Sequence, residues 1–234
     1  MTTRVADLRH DLSVHEGEML LVNKPRDWSS FDVVNKMRSI FHCERIGHAG
    51  TLDMKATGLL IVCTGKKTKE LSQFQEMDKE YDVTVRLGER TESYDAETPV
   101  TESNSVDHLT EQDIRSAVQH FVGEQQQLPP MWSAAKVAGK RLYRYARKGI
   151  EVERKPRTVC VRSIQIKEIA LPLLYMTVVC SKGTYVRTLV NDLGNALNVG
   201  AYVQELSRTR IGEYQLADAV TIEDMIVYRN ERRN

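Results

Sequence analysis

The stretch Gly47 to Gly58, GHAGTLDMKATG, puts three glycines, one histidine and a single acidic residue, Asp53, into twelve positions. An apolar run, Leu59 to Val62, follows at once. A carboxylate in such a turn has an ordinary use, since aspartate caps helices and bonds its own backbone in turns. It also has a chemical use, as a nucleophile or base on a rigid backbone, with Gly47, Gly50 and Gly58 admitting a large substrate. The chemical use requires a cation nearby to keep the carboxylate ionised once a ligand covers it. A candidate lies in CSKGTYVRTLVNDLG (180–194), where a strand turns through Gly183 into a helix carrying Arg187. Other chemistries fail on their motifs. Gly65-Lys66 resembles the end of a phosphate-binding loop, but Leu60 and Lys67 stand where glycine and serine or threonine are required. No G-x-S-x-G, H-E-x-x-H or strand-borne G-x-G-x-x-G occurs. Lys55 breaks the D-x-D pattern of an aspartyl-phosphate loop.

The elements that must position these groups follow from periodicity. Residues 18–24 predict a short buried strand ending at Pro25, and Ser29 or Ser30 caps a helix running to Phe41. Tyr81, Val83, Val85 and Leu87 alternate on one face of a half-buried strand. Thr110 and Asp113 form a capping-box pattern for a helix with Ile114, Val118 and Phe121 inward, closed by Gly123. A short helix is expected over Lys140 to Lys148, strands near 158–168 and 173–180, and a helix over Thr184 to Leu197. Helices and strands intersperse without a strict βαβ rhythm, which predicts an α+β fold with a mixed, mainly antiparallel sheet. The 234 residues are read as one domain, with about 123–157 as an insertion.

Composition sets the class. The chain is 41% hydrophobic and 28% charged, as a globular protein is, and its net charge is only +1. No apolar run spans a membrane, and the polar N-terminus is no secretory signal. Cys43, Cys63, Cys160 and Cys180 are scattered with no C-x-x-C pair, against a zinc site or a disulfide framework, so a reducing cytoplasm is the expected home. Charge is unevenly spread: Glu76 to Asp113 holds 12 acidic and 3 basic residues, Lys136 to Arg157 holds 9 basic and 2 acidic. Tyr143 and Tyr145 interleave the basic run, a combination that suits phosphates and exposed bases as well as a plain solvated face.

At this point the blocks acquire a family. GHAGTLDMKATGLLIV resembles the active-site motif of the TruB family of tRNA pseudouridine synthases. So, in family order, do VNKP (22–25), KEYDVTVRLGERTESYDAET (79–98), LPPMWSAAKVAGKRLYRYARKG (128–149) and CSKGTYVRTLVNDLG (180–194). The resemblance implies the pseudouridine synthase fold and a cofactor-free isomerisation of the T-loop uridine, position 55 of tRNA. It implies Asp53 as the essential aspartate, acting on the sugar, on the uracil ring or through a glycal. Tyr81 becomes the active-site tyrosine, Arg187 the arginine paired with the carboxylate, and His48 the histidine that holds the target nucleotide out of its loop. Lys182 is expected on phosphate and Leu206 against the uracil. Lys140 and Arg141 belong to the RNA-gripping insertion, or thumb, at 136–157. Lys24 and Pro25 match a structural motif beside the site.

The chain departs from the family pattern at Met54, where proline is usual, at Trp132, where tyrosine is common, and at Glu92, where aspartate is expected; each catalytic group stays in place. Only 23 residues follow Ile211, too few for a C-terminal PUA domain, so weaker tRNA affinity with the chemistry retained is expected. The expected partner is the tRNA T-stem-loop, with no membrane, no obligate protein partner, a monomeric state and no cofactor or metal. A tRNA-binding folding chaperone is the alternative, and a small-molecule enzyme with an aspartate nucleophile is disfavoured by the basic segment.

Overall fold

The computed structural model describes residues 2–3 and 12–232. Its principal strands are β1 (Met19–Lys24), β2 (Ile46–Ala49), β3 (Thr57–Thr64), β4 (Lys79–Leu87), β5 (Gly123–Gln127), β6 (Arg157–Ala170), β7 (Leu173–Cys180) and β8 (Ala201–Ile211). Its helices are α1 (Ser30–Phe41), α2 (Leu71–Glu76), α3 (Glu111–His120), α4 (Tyr143–Ala146), α5 (Val186–Ala196) and α6 (Ile222–Glu231). The architecture is α+β with a mainly antiparallel sheet, as the interspersed elements predict. The chain divides into two compact units, residues 1–81 with 207–234, and residues 82–206. No helix among the described residues is long and apolar enough to cross a membrane.

In the first unit β3 is the central strand. It pairs antiparallel with β1, from Met19↔Cys63 to Lys24↔Gly58, and with β2, from Ile46↔Thr64 to Ala49↔Ile61. It pairs parallel with the end of β8 at Ser207↔Thr57 and Arg208↔Gly58. Alternate residues of a strand point to opposite faces. Leu60 and Val62 accordingly join Val33 and Met37 of α1 and Met225 of α6, while Leu59, Ile61 and Cys63 join Phe74 and Ile211. Burial on both faces is why this strand reads as an unbroken apolar run rather than an alternating one.

Local chemistry fixes the helix ends. Ser29 caps α1: its hydroxyl accepts from Asp32 N at 3.1 Å, and the Asp32 carboxylate accepts from Ser29 N at 2.8 Å. That leaves Ser30 buried and available for another contact. The carbonyls of Phe74, Gln75 and Met77 at the end of α2 all accept from the buried Lys79 ammonium. Of the four thiols, Cys43, Cys63 and Cys180 are buried. Burial pushes Cys63 up to about 12, so it serves as a packing group.

In the second unit β6 pairs antiparallel with β7 and with β5. The capping box of α3 forms as predicted, with Thr110 accepting from Asp113 N at 3.2 Å and Asp113 accepting from Thr110 N at 3.0 Å. The cap at its far end is Phe121, and Gly123 instead opens β5. The helix expected over Lys140 to Lys148 is shorter than its sequence suggests. Lys140–Arg141 forms a two-residue strand against Lys136–Val137, and α4 keeps only Tyr143–Ala146. The cause is the turn between them, where Ala138 (φ 48°) and Gly139 (φ 78°) both take left-handed conformations that suit a tight hairpin. α5 buries Val186, Val190 and Leu193 as its periodicity requires, and a Cβ on Gly194 would lie 2.2 Å from Ala201 N.

Candidate active site

Asp53 sits in the loop between β2 and β3, and a set of hydrogen bonds holds that loop. Leu52 N donates to Ser30 Oγ at 2.8 Å, and the Ser30 hydroxyl donates to Leu52 O at 3.2 Å. Asp27, in a left-handed conformation (φ 64°), donates its N–H to Met54 O at 2.8 Å. Lys24, fully buried, donates to Pro25 O at 2.8 Å, Trp28 O at 2.7 Å and Met54 O at 3.4 Å. Ala56 N donates to Asp53 O at 3.2 Å, which closes a turn over the carboxylate-bearing residue. Beneath the loop the buried Arg208 donates to Gly50 O at 2.9 Å and Leu59 O at 2.7 Å. An exposed ion pair, Lys55 to Asp27 at 2.7 Å, adds little at such a surface.

The electrostatics follow from this packing. The Lys24 ammonium is brought down to about 8, chiefly by burial; the Asp53 carboxylate is the largest influence against the fall, Asp27 the next, and the Arg208 charge contributes to the lowering. Lys24 and Asp53 are therefore electrostatic neighbours. His48 on β2 is brought down to about 4, chiefly by burial and then by Arg208, so its ring is neutral at pH 7. Its Nδ1 is buried with no hydrogen-bond partner among the described residues. Tyr81 is 9% exposed on the inward face of β4, where the predicted alternation is regular from Lys79 to Leu87.

The glycines of the loop have a different reason from the one their sequence suggests. Gly58 has φ 102°, and a Cβ there would stand 2.4 Å from Arg208 O; a Cβ on Gly47 would stand 2.9 Å from Leu71 Cδ1. Both glycines admit the protein's own chain. Gly50 (φ 77°) supplies a left-handed turn.

In the second unit Arg187 is 3% exposed at the first turn of α5. Its guanidinium donates to Ser93 O and to Trp132 O, each at 2.8 Å, and lies 3.5 Å from the Asp95 carboxylate. Asp95 is itself buried and accepts from Ser93 Oγ at 2.6 Å and Glu97 N at 2.9 Å. Because Trp132 contributes its carbonyl, the change from tyrosine leaves this contact untouched. Lys182 is exposed in the turn before α5, and Leu206 is half-buried on β8. Lys140, Arg141 and Arg144 are exposed on the basic segment. Hydrogen bonds from Arg144 and then Arg141 lower the Tyr143 phenol, and Arg147 lies 5.4 Å from its ring centroid.

The predicted residues thus fall in two groups, with Asp53, His48 and Tyr81 in the first unit and Arg187, Lys182, Leu206, Lys140 and Arg141 in the second. Sequence reasoning missed Arg208 and Asp95 and read Ser30 only as an alternative cap to Ser29. Asp95 lies inside a block already matched to the family; Ser30 and Arg208 act on distant backbone and leave no local signal.

The description "TruB family pseudouridylate synthase (N terminal domain)" matches residues 38–186, and "tRNA pseudouridylate synthase B C-terminal domain" matches residues 187–233. A protein named tRNA pseudouridine synthase B from Phocaeicola vulgatus is 45% identical over 220 residues, covering 91% of this chain and 93% of that protein. One of the same name from Chlorobium luteolum is 47% identical over 213 residues, covering 89% of this chain and 74% of that protein. Among solved structures, a Cbf5-Nop10-Gar1 complex superposes with TM-score 0.75 at 27% identity over 99% of this chain. An H/ACA RNP bound to a substrate RNA containing 2'-deoxyuridine superposes with TM-score 0.71 at 26% identity over 94% of this chain. The chain spans 60% and 55% of those two structural relatives.

Proposed function

The chain belongs to the TruB family of pseudouridylate synthases, and from that premise we propose that it isomerises the T-loop uridine, position 55 of tRNA, to pseudouridine, with Asp53 as the catalytic carboxylate. The observation that carries this reading is the loop itself: one carboxylate-bearing residue held by backbone contacts at Gly50, Leu52, Met54 and Leu59. A group that must meet a single carbon atom has to be held in this way, since effective reaction requires near-attack geometry.

The reaction breaks the bond from C1′ to N1, turns the freed uracil and joins C5 to C1′. The C5 proton is then lost and N1 gains one, so atoms balance without a cofactor. The Asp53 carboxylate meets the positive charge that develops at C1′, or attacks and is later displaced. The target must first leave its stack, because C1′ and C5 are shielded inside a folded loop. On this reading the ring of Tyr81 stacks on the extruded uracil and its hydroxyl moves a proton, while Arg187 supplies the cation for the carboxylate. On the same reading His48, neutral and with an Nδ1 that has no partner among the described residues, helps hold the target nucleotide out of its loop. Lys182 takes a phosphate, and Leu206 lines the uracil site. Incubating a tRNA transcript with the protein and mapping pseudouridine tests the whole reading: modification confined to the T-loop uridine is expected, and an unmodified T loop overturns it.

The exposed cluster of Lys140, Arg141 and Arg144 around Tyr143 grips the RNA backbone in this reading. Replacing all three by glutamine lowers the slope of log affinity against log salt by about 2 to 3, at about 0.7–0.9 for each phosphate no longer neutralised. Filter binding of tRNA between about 50 and 200 mM salt measures it. An unchanged slope would remove this segment from the RNA interface.

A further inference from the structure

Arg208 is a fully buried guanidinium that the reaction as derived above does not use. Its side chain reaches Gly50 O at 2.9 Å and Leu59 O at 2.7 Å, the two ends of the loop that carries Asp53. Its backbone is equally constrained. Arg208 pairs with Gly58 in the parallel ladder between β8 and β3, and a Cβ at Gly58 would lie 2.6 Å from Arg208 N as well as 2.4 Å from Arg208 O. The absence of a side chain at Gly58 thus sets how deep Arg208 enters, and Arg208 sets the separation of the loop's ends. Ser30 and Lys24 hold Leu52 and Met54 inside that span. A planar fork can hold two carbonyls at a fixed separation; an ammonium is a point donor without that geometry. The same charge keeps His48 and Lys24 less protonated, as expected of a cation packed directly beneath the site.

We propose that Arg208 is the positioning residue of the catalytic loop: its guanidinium closes the loop by joining Gly50 O to Leu59 O and so fixes where the Asp53 carboxylate points. The inference rests on the reading of Asp53 as the catalytic carboxylate. It predicts loss of turnover without loss of RNA binding, because a displacement of about 1 Å at a reacting group can cost about a hundredfold in rate.

The test is Arg208→Lys, assayed by single-turnover modification of a tRNA transcript, with tRNA binding and thermal melting measured on the same preparation. The expected result is a chemical step slowed by about thirtyfold to a hundredfold, with tRNA affinity within about threefold of wild type and a folded protein. In a second arm, Arg208→Ala regains turnover with millimolar guanidinium and not with methylammonium at the same concentration. A residue that serves only folding behaves differently: the folded fraction drops while the rate per folded molecule stays at the wild-type value. That result, or a folded Arg208→Lys variant of wild-type rate, overturns the inference. Should the lysine variant not fold, Arg208→Gln gives the same reading, and failure of both to fold assigns Arg208 to folding and overturns its positioning role. Asp53→Asn in the same assay separates the two readings. If it keeps turnover, the catalytic assignment itself falls; if it is inactive while Arg208→Lys is normal, only the Arg208 inference falls.

Discussion

Asp53→Asn is expected to abolish pseudouridine formation, lowering turnover by at least about a thousandfold, or about 4 kcal/mol of transition-state stabilisation. The substitution keeps the size and shape of the side chain and removes its charge and nucleophilicity. The bonds described above that hold the loop run through other groups: Ser30 binds Leu52, Lys24 and Asp27 bind Met54, and Arg208 binds Gly50 and Leu59. The turn from Ala56 N ends on the Asp53 carbonyl, which asparagine keeps. The variant should therefore fold, melting somewhat below the parent because the buried Lys24 loses the carboxylate that most favours its charged form, and it should bind tRNA within about threefold, since the charge acts on the reacting centre rather than on the RNA backbone. Loss of rate with binding preserved is the signature of a group used in the transition state. A variant that modifies the T-loop uridine at the wild-type rate refutes the assignment. If the wild type also binds tRNA but never converts it, the protein is a tRNA-binding chaperone and the carboxylate belongs to its structure.

Much of the frame that carries this loop is legible in the chain. The capping pairs Ser29–Asp32 and Thr110–Asp113 are local, three residues apart, and they form as the pattern requires. The alternation from Tyr81 to Leu87 survives as a strand with alternating burial. What was not legible depends on groups distant in sequence. Arg208 contacts carbonyls 149 and 158 residues away, and any residue type can present a carbonyl. Ser30 could not be separated from Ser29 as the cap until the helix phase was known; only then does it turn inward to Leu52. Gly47 and Gly58 announce that something comes close without saying what, and Leu71 and the Arg208 backbone are the answer. The basic segment misleads differently, because Lys140, Arg141 and Arg144 suit a helix by propensity, yet the Ala138–Gly139 turn draws the first two into a hairpin. Local propensity is weak beside a left-handed turn that fixes chain direction.

Arg187→Lys should lower turnover about a hundredfold and also destabilise the fold, and the two losses have separable causes. The guanidinium bridges Ser93 O and Trp132 O, each at 2.8 Å, and reaches the Asp95 carboxylate at 3.5 Å. Both charged side chains are at least nine-tenths buried, so neither is screened as a surface pair would be. Lysine keeps the charge but cannot hold two carbonyls and a carboxylate in one plane, so the segments at Ser93 and Trp132 lose a shared anchor. Removing the charge as well, in Arg187→Met, leaves Asp95 buried without this cation and should cost about 3–5 kcal/mol of stability. Asp95→Asn, which retains the hydroxyl and amide contacts of Ser93 and Glu97 in outline, should cost less. A double-mutant cycle over Asp95→Asn and Arg187→Lys resolves the pair, with a coupling of about 1–3 kcal/mol expected for residues in direct contact. If Arg187 only anchors this unit, turnover per folded molecule is unchanged in every variant that folds. If it also serves the catalytic carboxylate, Arg187→Lys loses rate where Asp95→Asn at equal stability loses less. A lysine variant with wild-type turnover would confine the arginine at the head of α5 to the packing of its own unit.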